Sequence, residues 1–183
     1  MKDSVLKTKR LTLRKPRMSD AGKMLYMYQE RHLSRVTRIP YPYTLRDAKE
    51  FLKRKTGKDS CRFFITLNET KEIIGSMEFV EISRRDNWGN AGYLIAKKHR
   101  NKGYASEACQ ALLDFGFNTL KLNRISINHV EGNEASKRII LKLGAKYEGM
   151  EREGIRTGDG KYRNRLLYAI LAKDWKVGRR LKE

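Results

Sequence analysis

Apolar positions along the chain switch between a spacing of two and a spacing near 3.6, and the switches divide it into strands and helices. Leu11 and Leu13 alternate with Thr12 and Arg14, which predicts a short strand. Ser19 suits a helix cap, with Ala21, Met24, Leu25 and Tyr28 on one face behind it. Thr44-Leu45-Arg46-Asp47 resembles a capping box with Asp in place of Glu, and Ala48, Phe51 and Leu52 continue that helix. Strand patterns take over at Cys61–Leu67 and Ile73–Ser83, on either side of a turn at Asn68-Glu69-Thr70-Lys71-Glu72. A polar loop over 84–90 leads into a strand over 91–96. A long helix is expected from about 104 to 120, carried by Ala105, Ala108, Leu112, Leu113, Phe115 and Phe117. Residues 124–130 read as a strand, and 133–143 as a helix that Gly144 stops. Two last strands, 145–152 and 163–172, flank a glycine-rich loop at 154–160. The order is strand, two helices, three strands, helix, strand, helix, two strands. That is a mixed α/β sheet of the α+β class, not a regular doubly wound one.

A chain of 183 residues suits a single domain spanning 1–183, and no linker or internal repeat divides it. Two of the three prolines stand in Ile39-Pro40-Tyr41-Pro42, a rigid bend. Apolar runs such as 166–172 fall far short of the roughly 20 residues a spanning helix needs, and 1–17 has no continuous apolar stretch of a signal peptide. Cys61 and Cys109 each sit in an apolar-periodic segment, which argues against a disulfide framework or a cysteine zinc site. These features lead to the expectation of a cytoplasmic globular protein without a membrane anchor, monomer or homodimer. Lys and Arg number 41 against 21 Asp and Glu, a net charge of +20. Short basic clusters stand at 7–10, 53–58, 97–102 and 179–182, the last in a basic tail over 176–183. Such a field draws in polyanions: nucleic acid, an acidic protein or a phosphate-rich cofactor.

The stretch richest in chemistry is Gly92-Tyr93-Leu94-Ile95-Ala96-Lys97-Lys98-His99-Arg100-Asn101-Lys102-Gly103-Tyr104-Ala105-Ser106-Glu107-Ala108. A strand ends, a basic loop follows and a long helix begins. The first turn of a helix carries N–H groups without intrahelical partners and the positive end of the macrodipole. Gly103 has no side chain to hold an anion off, Ala105 is nearly as small, and Arg100 and Lys102 add charge, so the segment suits a diphosphate. It ends in neither the Gly-Lys-Ser/Thr of a P-loop nor the three spaced glycines of a dinucleotide fold.

Arg100-x-x-Gly103-x-Ala105, between a Gly-Tyr strand and a long helix, resembles the acyl-CoA-binding motif of the GNAT superfamily of N-acetyltransferases. Thr8-Lys9-Arg10-Leu11-Thr12-Leu13-Arg14 resembles the opening strand of its RimJ/RimL-like branch, which acetylates the N-terminal residues of ribosomal proteins. Leu122-Asn123-Arg124-Ile125, Asn133-Glu134-Ala135-Ser136 and Lys142-Leu143-Gly144-Ala145 resemble its downstream block. Tyr162-Arg163-Asn164, Leu167-Tyr168 and Trp175 resemble its ending. The likeness runs in order from about 8 to 175. It implies a mostly antiparallel seven-stranded sheet with splayed fourth and fifth strands, flanked by about four helices.

In such enzymes the splay admits the pantetheine arm of acetyl-CoA. The resemblance implies main-chain contacts from Leu94, Ile95 and Ala96, and a diphosphate held by the amides of Asn101, Lys102, Gly103, Tyr104, Ala105 and Ser106. Arg100 and Lys102 are either phosphate contacts or solvated loop charge. Asn133 would cap its helix and touch the arm. Ser136 would donate a proton or hydrogen bond to the departing thiolate, or serve only as a capping residue. Lys137, Arg138 and Lys142 face nucleotide phosphates or solvent. Many relatives carry Glu two residues before the Gly-Tyr pair, where this chain has Asn90, which cannot act as a base. Glu78, Glu81, Glu151 and Glu153 are the candidates that replace it, beside relay to water and the alternative of ordinary surface carboxylates.

His32, expected at a helix end, His99 in the basic loop and His129 in a strand have no metal-ligand spacing, so no metal is expected. Cys109, Met24 and Met27 read as core. Tyr26, Tyr28, Tyr41 and Tyr43 wall an acceptor pocket or belong to the aromatic core. The expected activity is transfer from acetyl-CoA to an amine, foremost a protein N-terminus such as that of a ribosomal protein, by direct attack with both substrates bound. Acetylation of a small amine or polyamine, an inactive acyl-CoA-binding relative and a basic nucleic-acid-binding module are the rivals. Net charge favours the last, yet the chain has no helix-turn-helix, zinc finger or RNP-type strand.

Overall fold

The structure, a computed structural model, describes residues 4–54 and 61–175. The basic residues at 55–58 and 179–182, and the tail over 176–183, lie outside them. Strands β1 (Leu6–Lys7), β2 (Leu11–Arg14), β3 (Cys61–Leu67), β4 (Ile73–Ser83), β5 (Trp88–Ile95), β6 (Arg124–Ile127), β7 (His129–Val130), β8 (Lys146–Arg156) and β9 (Tyr162–Leu171) form one sheet. Its order is β1-β2-β3-β4-β5-β6-β9-β7, with β8 on β9. Neighbours are antiparallel except β5 and β6, which are parallel. The helices are α1 (Ala21–Tyr28), α2 (Arg31–Val36), α3 (Leu45–Lys53), α4 (Tyr104–Asp114) and α5 (Glu134–Lys142). The parallel pair needs a crossover, which α4 supplies.

Strand alternation sorts the core into two faces. Phe63, Ile65, Met77, Phe79 and Ile125 pack with Ala108, Leu112 and Leu113 of α4. Phe64, Ile73 and Leu94 point the other way, to Met24 and Tyr28 of α1, Leu33 of α2 and Ala48 of α3. Phe63, Phe64 and Phe79 are fully buried, each contributing roughly 1.5–3 kcal/mol relative to exposure.

β3, β4 and the α3 capping box follow the sequence pattern: Thr44 Oγ1 accepts the Asp47 N–H at 3.2 Å, and Asp47 accepts the Thr44 N–H at 2.8 Å. Other elements depart from it. Among the described residues the sheet has nine strands instead of seven, because β1 is added and the strand expected over 124–130 is broken at Asn128 into β6 and β7. Among the described residues there are five α-helices and a further helical turn over 172–175, against about four expected; the six-residue α2 is too short to show a period in sequence. His32 accordingly opens a helix instead of ending one. Ser19 is no cap: it lies inside a 3-10 turn, Met18–Asp20, where Asp20 reaches back to the Arg17 N–H at 2.7 Å. β5 begins three residues earlier than expected, because β4 and β6 still offer partners to Trp88, Gly89 and Asn90. The long helix turns π-helical over Phe115–Thr119, where Gly116 presses so close to the sheet that a β-carbon would stand 2.6 Å from Ile125 Cδ1. β8 runs on to Arg156 through a bulge that absorbs Gly154, which shortens the loop between the last strands.

The break at Asn128 positions everything that follows. β4 pairs β5 from Trp88 to Ile95, but β6 pairs it only from Trp88 to Ala91. Beyond Ile127 the chain resumes as β7, which pairs with β9. Gly92–Ile95 therefore has β4 on one edge and a gap on the other, the splay that the resemblance implied.

Candidate active site

The open half of β5 is one wall of a cavity of about 320 Å³. Tyr93, Leu94 and Ile95 line it from β5, and Asn133, Ser136 and Ile139 from α5 with its cap. His32, Leu33, Val36 and Thr37 close it from α2. The loop and the start of α4 contribute residues 99–101 and 103–106.

Ala96 donates its N–H to Ile74 O at 2.9 Å, so strand alternation turns the main-chain groups of Ile95 and Tyr93 away from β4, to the side β6 has left. Arg100 Nε donates to Ile95 O at 3.0 Å from that side. The N–H groups aimed at the gap are those of Tyr93 and Ile95. Leu94 N–H is turned to β4 by the same alternation, and Ala96, its N–H committed, does not line the cavity.

After a 3-10 turn at Lys97–His99, the loop passes through left-handed backbone at Asn101 (φ 61°) and Gly103 (φ 79°). Gly103 is the residue before α4 and has no side chain with which to cap it. The first helical bond runs from Glu107 N–H to Gly103 O at 3.1 Å, leaving the N–H groups of Tyr104, Ala105 and Ser106 without intrahelical acceptors. All three residues line the cavity, and so do Arg138 and Lys142 of α5. Among the described residues no carboxylate lines the cavity. α5 is built otherwise: Asn133 Oδ1 accepts the Ser136 N–H at 3.2 Å and fills the cap. An uncapped helix start facing a cavity with cations opposite fits a diphosphate.

The loop cations divide. Arg100 forks onto Glu30 at 3.0 and 2.6 Å while holding Ile95 O, which ties the loop to the α1–α2 connection. Lys102 does not line the cavity, and its carbonyl accepts from Arg10 Nη1 at 3.0 Å. Lys137 pairs with Glu134 at 3.8 Å.

Ser136 Oγ lies 3.0 Å from the Tyr93 hydroxyl, and both residues line the cavity. Burial pushes the Tyr93 phenol well above its ordinary value, with Cys109 adding to the shift and the Ser136 bond opposing it. It therefore stays protonated at neutral pH. Forty-three positions separate the two hydroxyls, and no sequence signal joins them. The α2 residues are the other part of the site that sequence reasoning missed.

The carboxylates proposed as bases lie elsewhere. Glu78 of β4 accepts from Arg62 Nε at 2.7 Å, and Glu151 of β8 from Arg165 Nε at 2.6 Å. Glu81 and Glu153 are exposed, and Asn90 sits in the closed half between Glu81 and Ser126. None of these lines the cavity. The tyrosines separate as well: Tyr28 and Tyr43 are buried against each other with rings 5.0 Å apart, while Tyr26 and Tyr41 are exposed. The Tyr28 phenol meets Ser76 Oγ at 2.7 Å and is pushed up to about 12 by burial. His129 is buried, its Nδ1 on Val130 O at 2.8 Å and its ring stacked on Tyr168, whereas His32 and His99 line the cavity. Cys109, Met24 and Met27 lie in the core. No helix among the described residues is long and apolar enough to cross a membrane.

The sequence model of the GNAT acetyltransferase domain matches residues 10–146. The protein p20 of Bacillus licheniformis, named an uncharacterized N-acetyltransferase, is 30% identical over 175 residues, covering 93% of this chain and 97% of that protein. The [ribosomal protein uS5]-alanine N-acetyltransferase of Escherichia coli (strain K12) is 31% identical over 112 residues, 61% of this chain and 57% of that protein. Among solved structures, Mycobacterium smegmatis RimJ in complex with CoA-disulfide superimposes with a TM-score of 0.81 at 21% identity, covering 94% of this chain and 88% of that one. The chain belongs to the GNAT acetyltransferase family and is an N-acetyltransferase.

Proposed function

We propose that this N-acetyltransferase uses acetyl-CoA to acetylate a primary amine, and that the amine is a protein N-terminus such as that of a ribosomal protein in the cytoplasm. The observation that carries the reading is the half-open β5. Along one cavity it lines up the inward N–H groups of Tyr93 and Ile95, the Ser136 hydroxyl and the uncapped start of α4. Bound there, acetyl-CoA supplies an acetyl group already activated as a thioester. The N–H groups of Tyr104, Ala105 and Ser106, at the positive end of α4, hold the diphosphate, and Arg138 and Lys142 add charge from α5. The N–H of Ile95 or Tyr93 polarises the acetyl carbonyl. Ser136, held by the Tyr93 phenol, donates to the departing sulfur. The acceptor amine attacks directly while both substrates are held, so proximity supplies much of the acceleration. With no carboxylate of the described residues lining the cavity, water takes the amine's proton, and Glu78 and Glu151 are the side-chain alternatives. The +20 charge supports a ribosomal acceptor by steering the enzyme to an anionic particle, although charge sets approach more than choice of substrate.

Labelled acetyl-CoA offered with peptides copying ribosomal-protein N-termini, with polyamines and with RNA tests the reading. Label is expected on the peptide α-amine, and Ser136→Ala should lower kcat about 100-fold with the donor KM little changed. Label on polyamines alone would replace the acceptor, and donor binding without any transfer would make the chain an inactive relative.

A further inference from the structure

The segment Thr8–Arg14 carries part of the family likeness, yet sequence gives it no task. The structure sets it across the start of α4. Glu107, in the first turn of that helix, accepts from Thr8 Oγ1 at 2.6 Å, from the Arg10 N–H at 2.9 Å and from Arg10 Nε at 2.7 Å. Arg10 Nη1 reaches on to Lys102 O at 3.0 Å. The guanidinium carbon lies 4.5 Å from the centre of the Tyr104 ring, and Nη2 lies 3.3 Å from where a β-carbon on Gly103 would stand. One side chain thus braces residues 102 and 104 and lies against the space beside Gly103, at the turn where the N–H groups of 104–106 are presented. Glu107 also puts a full negative charge in the same first turn as those groups. The bonds from Thr8 and Arg10 outweigh the burial that pushes its carboxyl up, so the group sits below the ordinary carboxylate range and is ionised at neutral pH. Left alone, that charge opposes an anion at the helix start.

We propose that Arg10 is a positioning residue of the donor site: it fixes the 102–104 turn so that the α4 amides face the cavity, and it offsets the charge of Glu107. The proposal rests on the reading of that turn as the diphosphate site. It assigns a task to a residue outside the cavity lining, ninety-seven positions from its partner.

The test compares acetyl-CoA with S-acetylpantetheine, which carries the same thioester and arm but no phosphate, in folded enzyme of matched melting temperature. Arg10→Met should raise the acetyl-CoA KM roughly 10-fold, the size expected for losing hydrogen bonds to a charged group, with kcat at saturation within about twofold. The KM for S-acetylpantetheine should not move. Adding Glu107→Gln to Arg10→Met should recover part of the loss by removing the unmasked charge. If Arg10→Met does not fold, Arg10→Lys keeps the charge, loses the fork and should show the same contrast at smaller amplitude. An unchanged acetyl-CoA KM, or equal weakening of both donors, overturns the role of Arg10. Wild-type enzyme that takes both donors with equal KM would instead overturn the diphosphate reading beneath it.

Discussion

Between Trp88 and Ala91, β5 has a strand on each edge; between Gly92 and Ile95 it has β4 alone. In the closed half the main chain is spent on its neighbours and does nothing but hold the sheet. In the open half the same kind of strand presents N–H groups at fixed positions in a cavity, which is what binding an amide-bearing arm and polarising a carbonyl both require. An interior strand edge left unpaired is costly, because buried main-chain groups lose their partners. Here other elements take up the edge. Arg100 donates to Ile95 O, α2 covers one side, and the Tyr93 side chain finds Ser136 on α5. The difference teaches that the opening is built: a strand break at Asn128 creates it, and side chains drawn from distant parts of the chain hold its shape.

Three experiments would break or sharpen this contrast. The largest effect is expected from packing. Gly75 lies opposite Ile95 in the open half, and a β-carbon there would stand 2.3 Å from the Leu94 carbonyl oxygen, which the backbone cannot move aside. Gly89 is its counterpart in the closed half, where the nearest atoms are Leu122 Cδ1 at 3.0 Å and Phe79 Cδ1 at 3.1 Å, both able to shift. In denaturant unfolding, Gly75→Ala should therefore cost about 3 kcal/mol or more and Gly89→Ala about 1 kcal/mol. Equal costs would mean that the two halves are equally rigid.

Hydrogen exchange comes next. Ala91, Tyr93 and Ile95 face the same edge, and only Ala91 has β6 beside it. The amides of Tyr93 and Ile95 should exchange at least roughly 10-fold faster than that of Ala91, and acetyl-CoA should slow them. Exchange at a uniform rate along the edge would show the opening to be zipped in solution.

The smallest effect concerns acid. Glu107 beside Arg10, and Glu72 beside Lys98 and His99, brace the loop, and both carboxyls lie below the ordinary range. Thr8 and Arg10 outweigh burial in the first, and the Lys98 bond leads in the second. A carboxyl lowered on folding adds stability above its unfolded value, about 4.3 for Glu, and that stability is lost as pH falls through the folded value. The melting advantage of wild type over Glu107→Gln should therefore hold at neutral pH, begin to shrink below about pH 4.3 and be gone only once the pH lies under the lowered folded value. After solvent screening it should amount to about 1 kcal/mol or less. An advantage that persists in acid would remove the ion pair from the account.

How much of this was legible in the sequence varies with distance along the chain. β3, β4, the Thr44 capping box and the Asn133 cap depend on residues a few positions apart, and the pattern locates them. The uncapped start of α4 after Gly103 was legible for the same reason, since a glycine before a helix is a local feature. α2 was not, because six residues span less than two turns and display no period. The extent of β5 was not either: Trp88-Gly89-Asn90 has no strand pattern of its own and pairs only because β4 and β6 flank it. Arg100 shows where sequence and structure separate most. Its place beside the glycine points to phosphate, while its guanidinium is taken by Glu30, seventy positions away.

By itself the sequence determined most of the strands and longer helices, the family and the loop at the start of α4. Periodicity, capping and backbone freedom are set within a turn or two of chain, and the family motifs lie in contiguous runs. Only the tertiary structure decided which edge of β5 loses its neighbour, that Tyr93 meets Ser136, and that Arg10 and Arg100 serve as braces. Those outcomes depend on which distant groups the folded sheet brings within hydrogen-bond reach, and a charge or hydroxyl carries no mark in the sequence of the partner it will find.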